Sequence, residues 1–430
     1  MWCPLPWTHV GIKNNGTLRM CSHSQSGNNK NTVLQKDNTV LSAESLVDID
    51  TVLNCDTLKQ VRKEILSGEW PEQCKRCKVD HSTGSNSRNE WETKKHLDTF
   101  TIDDAINGTD EDGTIKDPKL VSLDLRIGNQ CNLRCIMCFP GESTLWYKDY
   151  QELIGYDYFI VDDKKYNLKI ADSDFDWAND KDKIDALVSN SKYLAKIKFG
   201  GGEPLIIKYH HYLLNRLIEE GYSQNIELEY SVNLTIFPPL LFDLWKKFKV
   251  IKICASIDAY GIANDAIRYP SKWETVTSNL RMLDETDDNI IVFTSTTVSI
   301  LTLEHFTDLM LWIKNQNYKK INRDTENPEA SHLVYSPACF NINLLDEHQQ
   351  SNMFDMLRNK ANGNKKIIKK LDSYDKYVTT ARATMSEEYV NETRKQFAGM
   401  FDRFALNQKQ DWNSIFPMAL EFKKSWETLQ

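Results

Sequence analysis

The fold of this 430-residue chain is decided by Leu120-Val-Ser-Leu-Asp-Leu-Arg126, followed by Gly128-Asn-Gln130 and then by Cys131-Asn-Leu-Arg-Cys135-Ile-Met-Cys138. Apolar and polar residues alternate up to Arg126, which predicts a half-buried strand, and the glycine and polar residues after it predict a loop. The cysteines have three and then two residues between them. That spacing gives three thiolates to an iron-sulfur cube and leaves one iron open to a small molecule, whereas four cysteines would make a closed electron carrier.

This arrangement resembles the radical S-adenosylmethionine (SAM) enzymes, whose C-x3-C-x2-C signature follows the first strand of a partial barrel. The resemblance implies that Cys131, Cys135 and Cys138 hold a [4Fe-4S] cluster with SAM at its open iron. The family usually has an aromatic residue before the third cysteine. Met137 stands there in this chain, so the implied contact on the adenine side is a thioether. A zinc knuckle or three unrelated buried thiols are the alternatives for the motif taken alone.

A glycine-rich motif, Gly200-Gly-Gly-Glu-Pro204, directly follows the predicted strand Ala195-Lys-Ile-Lys-Phe199. Glycines let the backbone come close to a ligand, and the carbonyl groups and the carboxylate suit an ammonium group. Resemblance to the family assigns the amino group of SAM to four residues of this motif, Gly201, Gly202, Glu203 and Pro204. An ordinary turn between a strand and a helix is the alternative.

Polar residues at the ends of two further predicted strands extend the resemblance. One strand ends in Ser256-Ile-Asp258, and Arg268 follows ten residues later. In the family this region holds the ribose and the methionine carboxylate: Ser256 and Asp258 can bond sugar hydroxyls, and Arg268 offers a planar fork that matches a carboxylate. A helix cap at Asp258 and a solvated Arg268 are the alternatives. Ser231 occupies the position where related enzymes carry a short polar motif.

Six predicted strands indicate the fold class independently of these motifs. They lie near residues 120–126, 195–200, 226–233, 249–257, 290–298 and 332–338, with helical patterns between them. Such alternation predicts an α/β fold with parallel strands, either a barrel or a doubly wound sheet. Six units match the partial (β/α)6 barrel of the radical SAM family. Ligands of these sheets bind at the carboxyl ends of the strands, where the candidate segments fall.

Four more cysteines lie near the N-terminus. A hairpin turn at Asn14-Asn-Gly16 is expected to bring Cys3 and Cys21 together, and a helix over 58–66 leads to the clip Cys74-Lys-Arg-Cys77. Cys3, Gly16 and Cys21 also resemble the C-x(9-15)-G-x4-C element of twitch and SPASM domains. The resemblance implies an auxiliary iron-sulfur cluster, of [4Fe-4S] type, although the module commonly follows the barrel in that family. A structural zinc site with four cysteine ligands is the alternative, because spacing cannot separate the two metals.

The expected organisation has four regions. Residues 1–80 form a twitch-like auxiliary cluster domain of a β-hairpin and a helix, 81–118 a linker, 119–345 the radical SAM partial barrel, and 346–430 a helical C-terminal extension. A long loop is predicted over residues 22–44. The extension is expected to close the open side of the barrel or to contribute to the substrate pocket.

Composition predicts a cytoplasmic protein. Residues 1–3 do not resemble a signal peptide, and no run of about eighteen apolar residues predicts a membrane span. Since the net charge is −8 and no long basic run occurs, nucleic acid is not expected as a partner. The cysteines are read as thiolate ligands rather than disulfides. Of those without a motif, Cys254 is predicted to be buried, Cys55 to lie near the surface, and Cys339 to pack near the barrel mouth. His210 and His211 are expected at the surface.

These observations predict an enzyme of oxidoreductase or maturase type. The resemblance implies that one electron from an external reductant, such as flavodoxin or ferredoxin, cleaves SAM to a 5′-deoxyadenosyl radical, which abstracts a hydrogen atom from a substrate. A peptide or protein is the first substrate predicted, because many twitch and SPASM enzymes modify peptides. A small molecule or a nucleoside is the second. A non-catalytic scaffold that binds zinc or an iron-sulfur cluster is the alternative from a different class.

Overall fold

The computed structural model of the protein describes residues 1–24, 37, 39–82, 87–95, 100–161, 164–169, 174–322 and 329–427. Most of the loop predicted over 22–44 therefore lies outside the described residues. The strands are β1 (His9–Ile12), β2 (Leu18–Arg19), β3 (Ser122–Arg126), β4 (Tyr158–Val161), β5 (Lys164–Asn167), β6 (Lys196–Gly200), β7 (Glu227–Val232), β8 (Val250–Ser256), β9 (Ile290–Val298) and β10 (Glu329–Leu333).

The helices are numbered along the chain in the same way. They are α1 (Leu5–Thr8), α2 (Ile49–Leu53), α3 (Asp56–Leu66), α4 (Lys75–Ser82), α5 (Arg88–Lys95), α6 (Ile102–Gly108), α7 (Trp146–Ile154), α8 (Lys181–Ser189), α9 (His210–Glu219), α10 (Pro239–Trp245), α11 (Ile262–Ile267), α12 (Trp273–Asp284), α13 (Ile300–Asn315), α14 (Glu347–Lys360), α15 (Lys365–Arg382), α16 (Glu387–Gln408), α17 (Trp412–Ile415) and α18 (Pro417–Glu427).

One sheet of eight strands organises the molecule, in the order β10-β9-β8-β7-β6-β3-β1-β2, and β4 and β5 form a separate ribbon. The strands β3, β6, β7, β8, β9 and β10 are parallel, and helices connect successive members. The predicted α/β fold with a largely parallel sheet is thus confirmed. It has the architecture of a partial barrel followed by a helical C-terminal region.

The strand predictions agree with the structure to within two residues for all but the last strand. That strand, β10, covers Glu329–Leu333 rather than 332–338. Pro337 excludes the predicted end at 338, because proline has no N–H for a strand ladder and restricts the residue before it.

Alternating burial gives this sheet two different faces. Phe199 and Tyr230 lie on the convex face, with Tyr230 0 % exposed, and their rings contact His210 of α9 and Trp245 of α10. The residues between them, such as Lys198 and Glu229, point to the concave face and pair there with each other. Because side chains alternate along a strand, the apolar half packs under the helices and the charged half faces the barrel interior.

Three predictions about single residues are wrong. Cys55 is buried at the start of α3 rather than near the surface, because α3 packs its apolar side against the N-terminal segment. His210 is also buried rather than exposed. Its Nε2 lies 2.9 Å from the Tyr230 hydroxyl, so the polar ring has a partner that makes burial tolerable. Cys254 is half-buried rather than fully buried, because it lies on the concave face of β8.

The N-terminal hairpin extends the main sheet. Strand β1 pairs with β2 in antiparallel fashion and with β3 in parallel, with His9 opposite Ser122. Residues 81–118, expected as a linker, contain the helices α5 and α6. Arg62 of α3, with no exposed surface, donates to the carbonyl oxygens of Gly113, Pro6 and Leu53. The segment around Gly113 is therefore bound to the N-terminal segments, while the division of the chain into domains remains a prediction.

The C-terminal helices pack against both the cysteine loop and the sheet edge. Gln408 of α16 donates to the Ala266 carbonyl at 3.0 Å, and Asn407 accepts a hydrogen bond from Arg134 in the cysteine loop. On α15, the Tyr374 hydroxyl lies 2.5 Å from Ser331 of β10. Among the described residues, no helix has the length and apolar character needed to span a membrane.

Candidate active site

The three cysteines of the central motif lie on a loop directly after β3. Backbone hydrogen bonds from Arg134 to the Tyr269 carbonyl, 2.6 Å, and from Ile136 to the Ile267 carbonyl, 2.9 Å, hold this loop against the end of α11. The backbone N–H of Cys138 donates to the carbonyl of Cys135 at 3.0 Å and so forms a tight turn. The loop thereby directs its thiols towards the carboxyl end of the sheet.

The three thiols are close enough to influence each other's ionisation. A hydrogen bond from the Cys138 thiol lowers the pKa of Cys135. Burial, with Cys135 nearby, raises the pKa of Cys131 to about 12. The Leu133 N–H donates to the Cys131 sulfur at 3.4 Å. Three neighbouring thiolates need compensating positive charge, which bound iron would supply, so this donor set fits an iron-sulfur cluster.

The glycine-rich motif packs directly against the loop that precedes Cys131. Gly202 and Glu203 donate backbone hydrogen bonds to the carbonyls of Gly128, 3.0 Å, and Gln130, 2.8 Å. A Cβ on Gly202 would lie 2.0 Å from the Gln130 oxygen, which no relaxation of a side chain could relieve. Glycine is therefore required here by the close contact between two backbone segments, a reason that the sequence pattern alone does not reveal.

Glu203 is buried in the same region, with 2 % of its surface exposed. Its carboxylate accepts backbone hydrogen bonds from Asn233, 2.8 Å, and Leu205, 3.3 Å. Burial raises the pKa of Glu203 to about 7, and these hydrogen bonds oppose the rise. Asn233 also donates from its side chain to Asn132, 2.7 Å, between the first two cysteines. Glu203 and Asn233 thus connect the ends of β6 and β7 to the cysteine loop.

Arg268 and Asp258 form a buried ion pair beside the cysteines. The Arg268 Nη1 donates to Asp258 Oδ2 at 2.8 Å, and Asp258 Oδ1 accepts the backbone N–H of Thr297 at 2.7 Å. Burial lowers the pKa of Arg268, but Cys135 and Asp258 outweigh it and the net pKa is raised. Its buried Nε has no hydrogen-bond partner among the described residues. Arg268 therefore keeps its charge and has a donor left for an anion.

The structure brings most of the predicted site residues to one end of the sheet. Electrostatic contacts join Arg268 to Cys135 and Cys138, and Glu203 to Arg268. Ser231 and Ser256 are half-buried near the ends of β7 and β8, on the concave face. Asp258 has both oxygens engaged within the protein, one by Arg268 and one by the Thr297 backbone. All the ligand contacts that the resemblance implies remain predictions: those of Met137, Gly201, Gly202, Glu203, Pro204, Ser256, Asp258 and Arg268, and the place of Ser231 at the site.

Two charged residues near the cysteines were not found from the sequence. Glu142 lies within hydrogen-bonding reach of the Cys138 thiol, and burial raises its pKa. Arg134 has a side chain 3 % exposed and lies 5.3 Å from the ring centroids of both Trp146 and Tyr269. The sequence signal for these two residues is their position: Arg134 lies inside the cysteine motif and Glu142 follows it closely. It gives proximity along the chain but not the direction of the side chain.

The four N-terminal cysteines come together in space. Cys3, Cys21, Cys74 and Cys77 line a single cavity, together with Arg88 and His23. Burial, reinforced by Cys21 and Cys74, raises the pKa of the Cys3 thiol. Burial also raises the pKa of Cys74 and of Cys77, and Cys21 contributes to both rises. In the regions of the chain that the structure describes, no three His, Cys, Asp or Glu side chains surround a single metal-ion position.

The two sets of cysteines lie at opposite ends of the sheet. Cys3 precedes β1, and Cys21 follows β2, which runs antiparallel to β1, so both lie at the amino end of β1. Because β1 is parallel to β3, this is also the amino end of β3. Cys131 follows the carboxyl end of β3. The interior of the barrel therefore separates the two sets.

Comparison with known proteins gives a family for the central region of the chain. The Radical SAM superfamily matches residues 125–313. An uncharacterised protein of Methanocaldococcus jannaschii is 25% identical over 233 residues, which cover 52% of this chain and 69% of that protein.

Two groups of solved structures are also similar at low identity. Native anSMEcpe with bound AdoMet is 13% identical with a TM-score of 0.37, covering 55% of this chain and 59% of that one. Streptococcus suis SuiB bound to S-adenosylmethionine is 13% identical with a TM-score of 0.33, covering 77% and 63%. The chain thus spans less than two thirds of the length of these two structures. The superfamily match thus extends from the end of β3 into α13.

Proposed function

We propose that this protein is a radical SAM enzyme that abstracts a hydrogen atom from its substrate. When bound, a [4Fe-4S] cluster and SAM supply a 5′-deoxyadenosyl radical after one electron arrives from a reductant such as flavodoxin or ferredoxin. The observation that carries the proposal is the grouping of three interacting thiols with a charged, incompletely bonded Arg268 inside the matched domain.

Different residues of the chain would bind different groups of SAM. Arg268, kept in place by Asp258, has a free Nε donor for the methionine carboxylate. The buried Glu203, whose pKa is raised to about 7, would gain a partner from the methionine ammonium group beside Gly201, Gly202 and Pro204. Ser256 is proposed to contact the ribose and Met137 the adenine, with Ser231 as a further polar group at the end of β7. Cys131, Cys135 and Cys138 serve as thiolate ligands.

We further infer that Cys3, Cys21, Cys74 and Cys77 hold an auxiliary iron-sulfur cluster. Their common cavity and their mutual electrostatic contacts support this assignment, as does the resemblance of Cys3, Gly16 and Cys21 to a twitch domain. Arg88 lines the same cavity and contributes positive charge next to Cys21 and Cys3. The cluster would exchange electrons with the substrate radical or bind the substrate.

A peptide or protein substrate is proposed first, on the resemblance to twitch and SPASM enzymes, and a small molecule or nucleoside second. Thiolate ligands require a reducing compartment, so we propose a cytoplasmic location. We propose that the chain is divided into four regions: an N-terminal cluster domain (residues 1–80), connecting residues 81–118, the barrel (119–345) and the C-terminal extension (346–430).

Anaerobic reconstitution tests the proposed function. About eight iron and eight sulfide per chain are expected, and about four of each after Cys131, Cys135 and Cys138 are changed to alanine. The wild type with dithionite and SAM should release 5′-deoxyadenosine, and the triple variant should release none. Cys55→Ser is the matched control, because Cys55 is the N-cap of α3, outside both sets of cysteines, and serine is favoured at such a position. Zinc as the only metal, or no 5′-deoxyadenosine from the wild type, would contradict the proposal.

A further inference from the structure

The concave face of the sheet carries an arginine pair between the two sets of cysteines. Asp124 of β3, 1 % exposed, lies between Arg19 of β2 and Arg126 of β3. Arg19 Nη2 donates to Asp124 Oδ2 at 3.0 Å, and Arg126 Nε lies 3.4 Å from Asp124 Oδ1. Burial alone would raise the pKa of Asp124, but Arg126 and Arg19 hold it below its ordinary value. One buried carboxylate therefore forms ion pairs with two arginines.

Glycines on the neighbouring strands make room for these arginines. A Cβ on Gly11 of β1 would lie 2.7 Å from Arg19 Cγ, and a Cβ on Gly200 of β6 would lie 2.6 Å from Arg126 Nη1. Both guanidinium side chains thus lie flat across the sheet instead of standing away from it. The arrangement fixes two planar cations along the wall of the barrel interior.

Lysines continue the positive charge around the same wall. Glu229 of β7 is shared by Lys196 and Lys198 of β6, at 2.5 and 3.0 Å. Glu227 of β7 is shared by Lys196, 3.4 Å, and by Lys252 of β8, 2.7 Å. Among the described residues of these strands, five cations thus share three carboxylates. The wall keeps an excess of positive charge although the chain as a whole has a net charge of −8.

Several buried polar atoms of this wall have no partner. Among the described residues, the buried Nε of Arg19, Nε2 of His9 and Oδ1 of Asp124 make no hydrogen bond. His9 is 3 % exposed, and its Nδ1 lies 2.8 Å from the Ser122 hydroxyl. When that hydroxyl donates to Nδ1, the free Nε2 carries a hydrogen and is a donor. Buried donors normally have a partner, so the unbonded ones point to a missing acceptor.

This wall, formed by the charged side chains on the concave face of the sheet, lies beside the residues of the proposed chemistry. Arg126 contributes to the electrostatic environment of Glu142, which lies beside Cys138, and Arg88 interacts with both Asp124 and Cys21. The Arg126 and Lys198 side chains remain 31% and 32% exposed, so they can still meet a ligand. A molecule held here would lie between the radical SAM domain's cysteines and the N-terminal cysteines.

We propose that Arg126, Lys198 and Arg19 form an oxyanion site that binds a carboxylate or phosphate group of the substrate inside the barrel. The inference rests on the proposed function, because it names the substrate class of that same site. Arginine binds carboxylate and phosphate through two parallel N–H donors, and lysine adds a point charge. The anion offsets the excess charge of the wall, and its oxygens accept from the unbonded Arg19 Nε.

Titration calorimetry on the reconstituted protein with saturating SAM tests the site, since the SAM carboxylate then occupies its own position. Inorganic phosphate and succinate are the probes, with sodium chloride at matched ionic strength as the blank. Saturable binding of at least one probe is expected. Arg126→Gln and Lys198→Gln should each weaken it about tenfold, because a hydrogen bond to a charged group is lost. Arg216→Gln is the matched control, because Arg216 of α9 pairs with Asp185 of α8 and Glu219 of α9, on the helices outside the barrel interior.

The outcomes separate this inference from the proposed function. Binding of phosphate alone would identify a phosphorylated substrate, and binding of succinate alone a carboxylate, and either supports the site. No saturable binding to the wild type, or equal binding to the wild type and both variants, would overturn it. Circular dichroism melting and iron content of each variant show that a loss of binding is not a loss of fold. Release of 5′-deoxyadenosine by the wild type is measured separately and reports on the proposed function alone.

Discussion

Asp258 shows how a single buried residue can act through its neighbour. It has no exposed surface, and its two oxygens accept from Arg268 and from the Thr297 backbone. A contact between Asp258 and the ribose of SAM would have to compete with both bonds. The geometry favours a role in which Asp258 fixes the direction of the Arg268 guanidinium, so that its free Nε points to a ligand carboxylate.

Asp258→Asn should therefore weaken SAM binding without removing the cluster. The amide keeps the shape but loses the charge that holds Arg268, so the Kd for SAM should rise about tenfold, as expected for a charged hydrogen bond. Equilibrium dialysis of the reconstituted protein measures this change. Asp284→Asn is the control, because Asp284 also accepts backbone hydrogen bonds, from Lys319 and Lys320, but lies away from the cysteines. An unchanged Kd in Asp258→Asn would refute this role.

At the scale of the elements, Arg62 binds the N-terminal segments to one another. It is fully buried on α3 and donates to three backbone carbonyls and to the Asn54 side chain. Burial lowers its pKa to about 10, so it is still charged at neutral pH. The carbonyl groups of Pro6, Leu53 and Gly113 belong to three separate segments, and no other side chain of this length and donor number could reach all of them.

Arg62→Met should lower the free energy of unfolding by about 3 kcal/mol or more, because it leaves buried carbonyl groups without donors. Chemical denaturation followed by circular dichroism provides the measurement. Lys59→Met, one turn away on α3, removes only a solvent-exposed ion pair with Asp112 and should change stability by less than about 0.5 kcal/mol. Equal losses in the two variants would contradict the role assigned to Arg62.

The elements also show what the sequence could and could not predict. Alternation of apolar and polar residues located β3 and β6 to β9, because each of these strands has one face under helices and one in the barrel interior. It could not reveal that β1 pairs with β3, since that contact joins residues more than 110 positions apart. The same limit applies to Arg19 and Asp124, which meet only because the hairpin joins the sheet.

For the whole molecule, the decisive feature is the distance between the two sets of cysteines. They lie at opposite ends of β1 and β3, and a strand of five residues such as β3 spans roughly 17 Å. The wall of charged residues that includes Arg126 and Asp124 occupies the space between them. Changes at one end are therefore expected to leave the local geometry of the other end intact, as holds for sites without shared partners.

Replacing Cys74 and Cys77 together by alanine tests this separation. The variant should lose about half of its iron and sulfide but still release 5′-deoxyadenosine from SAM with dithionite, at a rate within about threefold of the wild type. The reason is that Arg268, Glu203 and the cysteine loop make no contact with α4, on which Cys77 lies, among the interactions of the described residues. Cys55→Ser again controls for the loss of a thiol outside both sets. Complete loss of SAM cleavage in the double variant would mean that the N-terminal cysteines support the radical SAM site directly, and would contradict the separation.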